Sequence, residues 1–279
     1  MELFTEYVKD AFLSDFALEY KETIIMPKQN GDTFIYDTDM FSLMMTPREN
    51  ENGVCLFIEG EAKDGFPSDG AFSFLLGNKT PDGIMTVKHD CRWWMIPDFP
   101  KSYADIRRES QFMLLKMGNV YFTLAPLVGE NYRFELCEGK LTVHIGTDGE
   151  KKLSGAVCVI SRSTDPYKCV TDAFLSAKES GAIRVSLRKD RVYPDMFRRL
   201  GYCTWNTFYR GVSEKGIFEK LDELRNAGIT PYWVIIDDGW MLTDGEILVA
   251  DGEDTEKFPN GLRGCISAIK EKYGVKYVG

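Results

Sequence analysis

A chain of 279 residues with 44% hydrophobic and 13% aromatic composition holds enough apolar side chains for one large globular core or two medium ones. Its 43 acidic residues outnumber the 34 basic ones, for a formal charge of -9. That balance argues against nucleic acid or an anionic membrane surface as the main partner and favours a neutral ligand.

The N-terminal Met1-Glu2-Leu3-Phe4-Thr5-Glu6 carries acids where a secretory signal needs a basic segment and an apolar core. No run approaches the roughly 18 apolar residues of a membrane span, so a cytoplasmic protein is expected. Seven cysteines (55, 91, 137, 158, 169, 203 and 265) form an odd, dispersed set without a CxxC pair, which predicts neither a disulfide framework nor a thiolate zinc site. The two histidines, His89 and His144, stand in strand-like stretches with no second metal-type ligand at a useful spacing. No metal and no cofactor are expected, Ser-His-Asp and Cys-His chemistry is disfavoured, and carboxylates are left as the expected chemistry.

To about residue 160 the pattern is β-like. Val54-Cys55-Leu56-Phe57-Ile58, Ala71 to Leu76, Val120 to Leu124 and Leu141 to Ile145 are separated by turn pieces such as Glu51-Asn52-Gly53, Asp82-Gly83 and Thr147-Asp148-Gly149. Many short strands at this spacing predict a β-sandwich. Within it, Trp93-Trp94-Met95 reads as strand, with one indole facing in and its neighbour out.

The period changes after Pro166, where Val170, Phe174 and Ala177 recur at helical spacing and Gly181 offers a C-terminal cap. A strand-like Leu200 to Trp205 follows. Ser213 then caps a helix whose Ile217, Leu221 and Leu224 share one side before Gly228. Strand 232–236 comes next, then an acidic stretch at 241–257. Its Asp244, Glu246, Asp251, Glu253, Asp254 and Glu256 lack calcium-loop spacing and read as a solvated loop. Leu262, Ile266, Ile269 and Tyr273 mark a further helix, closed by Gly274 before Val275-Lys276-Tyr277-Val278. The β-α-β-α-β order predicts a parallel sheet, either a (β/α)8 barrel or an open doubly wound fold. No glycine-rich phosphate loop stands in the first βα turn to favour a nucleotide.

These patterns divide the chain into a β-sandwich domain with a linker helix over 1–189 and an α/β domain over 190–279. The second holds roughly 90 residues, where a complete barrel needs about 250. The expectation is therefore the front part of a longer architecture, with about three barrel strands.

Candidate site residues cluster in Val234-Ile235-Ile236-Asp237-Asp238-Gly239-Trp240, an apolar run that ends in two carboxylates, a glycine and an indole. Acids at the C-terminal tip of a barrel strand stand at the active face. Asp-Gly is also a common turn dipeptide, and Asp a good helix cap. A glycosidase pair must flank the scissile bond at roughly 5 to 9.5 Å, and adjacent residues in extended chain point to opposite faces, so Asp237 and Asp238 fit a catalytic pair poorly. They suit charge-assisted hydrogen bonds to adjacent hydroxyls of one sugar ring better. Trp205, at the end of the preceding strand, offers the flat apolar face that such a ring needs, and Trp240 stands beside the acids; Asn206 and Thr207 receive no role.

Six colinear motifs carry a resemblance. They are Cys91-Arg92-Trp93-Trp94-Met95, Glu109-Ser110-Gln111-Phe112-Met113-Leu114-Leu115, Gly201-Tyr202-Cys203-Thr204-Trp205-Asn206, Val234 to Trp240, Lys257-Phe258-Pro259-Asn260-Gly261-Leu262 and Tyr273 to Gly279. The sequence resembles the raffinose synthase, seed imbibition protein and alkaline α-galactosidase group of glycoside hydrolase family 36. The resemblance implies an N-terminal β-sandwich, then a catalytic (β/α)8 TIM barrel incomplete in this chain, and a retaining enzyme of carbohydrate metabolism that hydrolyses α-galactosides or transfers galactose. It further implies that Asp237 and Asp238 bind galactose hydroxyls while Trp205 lines the same subsite. Asn206 departs from the Asp that many relatives carry. The family's nucleophile and acid/base aspartates lie on later barrel strands, so no catalytic residue is assigned and the chain alone is expected to be inactive. The expected partner is galactose or an α-galactoside, with a homo-oligomer or a C-terminal fragment completing the barrel as further possibilities. The alternative is a non-catalytic carbohydrate-binding or assembly module, or half of a split enzyme.

Overall fold

The computed structural model describes residues 13–77, 79–91, 93–245 and 247–279. The N-terminal segment Met1 to Glu6, Arg92 and Glu246 lie outside the described residues. The chain divides between Leu187 and Arg188 into two compact units.

Hydrogen bonding in the first unit links fourteen antiparallel strands in one network. One sheet runs from Lys28–Asn30 through Thr33–Asp37, Phe41–Asn50, Gly53–Phe66, Glu150–Ser163, Val120–Pro126, Ser110–Met117 and Gly83–Cys91 to Trp94–Asp98. The other runs from Thr23–Ile25 through Leu13–Tyr20, Phe72–Leu76 and Lys140–Ile145 to Tyr132–Cys137. They join through the pair Ser110↔Leu136. Leu43, Met45, Leu56, Ile58 and Leu124 of the first sheet and Phe72, Phe74, Phe134, Leu141 and Val143 of the second share one buried core, so the two sheets face each other as a sandwich. Along Phe41–Asn50 the alternation is explicit: Phe41, Leu43 and Met45 are buried, Ser42 and Met44 exposed.

The central strands are longer than the short ones expected, fourteen residues each for Gly53–Phe66 and Glu150–Ser163. Their middles read as unbroken apolar runs because both faces are covered. Leu56, Ile58, Cys158 and Ile160 enter the sandwich core, whereas Cys55, Ala156 and Val159 meet the helix Pro166–Glu179 on the outside. Asp165 caps that helix, accepting from the Tyr167 and Lys168 amides. Its buried face is Cys169, Asp172, Ala173, Ser176 and Ala177; of the expected Val170, Phe174 and Ala177, the last is buried as expected and Phe174 is exposed. Both sets have helical spacing, and the small one lets the helix backbone approach the sheet closely. The tryptophan pair also departs from expectation. Cys91 pairs with Trp94, so Trp93 lies in the connecting turn of a hairpin and strand alternation does not apply; both indoles are exposed, at 75% and 62%.

The second unit holds three parallel strands in sequence order, Gly201–Cys203, Trp233–Ile235 and Tyr277–Val278, with Cys203 beside Ile235 and Val234 beside Val278. Two crossover helices pack on one face. Glu214–Asn226 starts where the Ser213 hydroxyl accepts from the Gly216 amide, and Gly261–Tyr273 ends at Gly274, whose left-handed φ of 69° suits glycine. Ile217 and Leu221 of the first helix and Cys265 and Ile269 of the second bury Val234 and Ile236. By strand alternation Trp233, Ile235 and Asp237 occupy the opposite, half-buried face, the one that lines the interior when such a sheet closes into a barrel.

The acidic stretch after Trp240 is a hairpin rather than an open loop: Met241–Asp244 pairs with Ile247–Glu253. Asp244 pairs with Ile247, and Gly245, at a left-handed φ of 61°, stands in the reversal between them. Asp254 then accepts from the Glu256 and Lys257 amides and starts the turn into the next helix.

Candidate functional site

The two acids leave the tip of the strand Trp233–Ile235 in different directions. Asp237 continues the face on which Cys203 and Ile235 stand, and its position is set from three sides. Its amide donates to Thr204 Oγ1 at 2.9 Å, its Oδ1 accepts the Asp238 amide at 2.7 Å, and its Oδ2 accepts the Cys203 thiol at 3.2 Å. Asp238 turns the other way, toward Arg210, whose Nε donates to Oδ2 at 3.0 Å. Each carboxylate oxygen offers two lone pairs, so these bonds orient both groups while leaving acceptor capacity for a ligand. Burial raises the Cys203 thiol above its ordinary value, a backbone hydrogen bond from Trp205 opposes it, and the Asp237 carboxylate adds a smaller upward push, so the thiol is a donor at neutral pH.

Gly239 is required by its surroundings. Its φ is +109°, and a Cβ there would lie 2.5 Å from the Arg210 Cα. The loop after the first strand therefore rests directly on the Asp-Asp-Gly turn. Lys257 clips the two together, its Nζ donating to the Gly239 carbonyl at 2.9 Å and to the Arg210 carbonyl at 3.2 Å, with Asp254 at 3.6 Å. The segment that carries Lys257 is itself anchored: Phe258 is fully buried, and the buried Glu214 carboxylate accepts from Asn260 Nδ2 at 2.8 Å. A small cavity of about 120 Å³ opens beside Asp238, lined by Arg210, Gly239, Met241, Leu248 and Lys257 among others.

Trp205 lies just past the strand, as the first residue of a short helical turn, Trp205–Phe208. It is half-buried and meets Tyr209 edge to face at 5.3 Å. Tyr209 is 60% exposed and sits at φ 48°, an uncommon conformation for a residue of its size. The pair forms an aromatic wall on the first strand's exit loop. Trp240 plays a different structural part from Trp205, packing against the core of the second unit while its carbonyl accepts the Asp254 amide. Asn206 and Thr207 are exposed, and Thr207 Oγ1 accepts from the Tyr202 hydroxyl.

A family model described as raffinose synthase or seed imbibition protein Sip1 matches residues 68–277, taking in both units. The chain belongs to that family. Among similar curated proteins are a probable galactinol–sucrose galactosyltransferase 6 of Arabidopsis thaliana, 28% identical over 230 residues, and a stachyose synthase of Pisum sativum, 29% identical over 188. The first match covers 67% of this chain and 30% of the relative, the second 63% and 21%, so the chain spans less than a third of the family members it matches. Among solved structures, the family 36 α-galactosidase AgaA of Geobacillus stearothermophilus aligns over 95% of this chain and 45% of its own, with a TM-score of 0.50 at 12% identity. The galactosidase domain of the α-galactosidase-sucrose kinase AgaSK aligns over 94% and 44%, with a TM-score of 0.50 at 9% identity. At such identities the likeness speaks for the fold, and it is the expected one: a β-sandwich followed by the opening strands and helices of a (β/α)8 barrel.

Four residues around the acids escaped the sequence argument: Cys203, Tyr209, Arg210 and Lys257. Cys203 and Lys257 stand inside motifs that carry the resemblance, and that is the signal from which they were open to being found. Nothing in local sequence pairs Arg210 with Asp238 across 28 positions.

Proposed function

We propose that this chain carries the galactose-holding part of a retaining enzyme that hydrolyses α-galactosides or transfers galactose between sugars. The observation that carries the reading is the pair Asp237 and Asp238 at the tip of the second parallel strand, each fixed by its own donor, beside the Trp205–Tyr209 wall. Acceptors pre-oriented in this way suit adjacent ring hydroxyls, and the aromatic wall suits the apolar face of the same ring. The names of the relatives, galactosyltransferases and a stachyose synthase, support the same substrate class. The nucleophile and acid/base of the two-carboxylate mechanism are assigned to strands beyond the three present here.

Titration of the chain with galactose tests the reading. Asp238→Asn is expected to weaken binding about ten-fold or more, the scale of a charge-assisted hydrogen bond. The unaltered chain is expected to release no product from an aryl α-galactoside, and measured turnover would contradict the assignment of catalysis to other strands.

One observation favours a second reading, a carbohydrate-binding module that uses the sandwich. A cleft of about 700 Å³ on the first unit is lined by Phe57, Glu59, Glu130, Tyr132 and Arg184, with the Arg48 guanidinium 3.8 Å above the Phe57 ring. Galactose affinity unchanged by Asp238→Asn supports this cleft instead.

A further inference from the structure

The strand register explains why a thiol meets the first acid. Cys203 stands beside Ile235 in the parallel pair, and Asp237, two residues further along an extended chain, returns to the same face. The contact is the 3.2 Å hydrogen bond from Sγ to Asp237 Oδ2, and the other Asp237 oxygen is already held by the Asp238 amide. With Oδ1 held by the Asp238 amide and Oδ2 by the Cys203 thiol, the carboxylate is oriented by two donors at once, and each oxygen keeps a second lone pair for a ligand. The neighbouring Asp238 is held instead through the Arg210 side chain, which is more than half exposed.

We propose that Cys203 is a positioning residue for the sugar site, its thiol fixing the orientation in which Asp237 receives a galactose hydroxyl. This rests on the galactose reading above for its consequence, but the thiol–carboxylate coupling itself is independent of any ligand. An alanine here removes the donor to Oδ2, so the carboxylate loses one of the two bonds that set its orientation. A serine keeps a donor on a shorter bond. Because the thiol sits above its ordinary value through burial and the Asp237 charge, neutralising Asp237 raises the thiolate fraction and hence the reactivity of Cys203 toward alkylation.

Two measurements decide it. In the first, Cys203 is alkylated with iodoacetamide at pH 8 without ligand, and labelling is read peptide by peptide. Asp237→Asn is expected to raise the rate several-fold over the unaltered chain, while Cys265, buried and pushed up to about 12 by burial, stays unlabelled and reports an intact fold. Equal rates at Cys203 overturn the coupling. In the second, galactose affinity is compared across variants. Cys203→Ala is expected to bind about five-fold more weakly, the scale of one hydrogen bond, and Cys203→Ser to recover most of that loss. Affinity equal to the unaltered chain in Cys203→Ala overturns the positioning role, as does a serine variant no better than alanine. If the unaltered chain binds no galactose, the proposed function fails, and the alkylation rates alone then decide whether Cys203 holds Asp237.

Discussion

At the scale of single residues, the site depends on backbone shape as much as on functional groups. Gly239 is the sharpest example, since its positive φ and the 2.5 Å approach of the Arg210 backbone leave no room for a side chain. Gly239→Ala combines backbone strain with a clash that no rotamer relieves, and is expected to cost about 2 kcal/mol or more in urea unfolding. It is also expected to weaken galactose binding by displacing the Arg210 loop from the acids. A glycine between two acids and a tryptophan is visible in sequence, but the reason for it is not. The loop that presses on it lies 29 positions earlier, and Lys257, which ties the two together, lies 18 positions later.

At the scale of elements, local rules were most readable where they are chemically local. Ser213 caps its helix as its position predicts, and Gly274 ends the next one in the left-handed conformation. Ser213→Ala is expected to lower the stability of the second unit by about 1 kcal/mol in chemical denaturation, by leaving the Gly216 amide without its acceptor. Elements were misread where the deciding factor was a neighbour. The helix Pro166–Glu179 carries two apolar sets at helical spacing, and the sheet it covers selected the small one. The hairpin after Trp240 was hidden by its charge, although Gly245 just before the apolar run Ile247-Leu248-Val249 is itself a turn signal.

At the scale of the whole molecule, two units carry two kinds of core. The sandwich encloses aromatic and aliphatic side chains between sheets, yet it also sequesters charge. Glu135 is buried beside Arg133, 2.8 Å away, and His144, 3.1 Å away. Burial is the largest influence on Glu135 and pushes it up, but the neighbouring His144 and Arg133 and a backbone hydrogen bond from Glu109 together hold it below its ordinary 4.5. A carboxylate depressed on folding stabilises the fold above its unfolded value, and that stabilisation is lost as pH falls through the lower folded value. Glu135→Gln is therefore expected to be less stable at neutral pH. Followed by circular dichroism from about pH 5 to about pH 3, it is also expected to lose stability less steeply than the unaltered chain.

Sequence alone determined the order of classes, β then alternating α and β, because periodicity and capping are properties of neighbouring residues. It also determined that Asp237, Asp238 and Trp205 leave strand ends together, since an apolar run that stops at acids marks a tip wherever it folds. Only the tertiary structure decided that the two acids have separate anchors, Cys203 and Arg210, that both indoles of the Trp93-Trp94 pair are exposed, and which face of the helix Pro166–Glu179 is buried. Those outcomes depend on strand register and on loops that meet across tens of residues, and no local pattern encodes a contact whose partner is set by the packing of other elements.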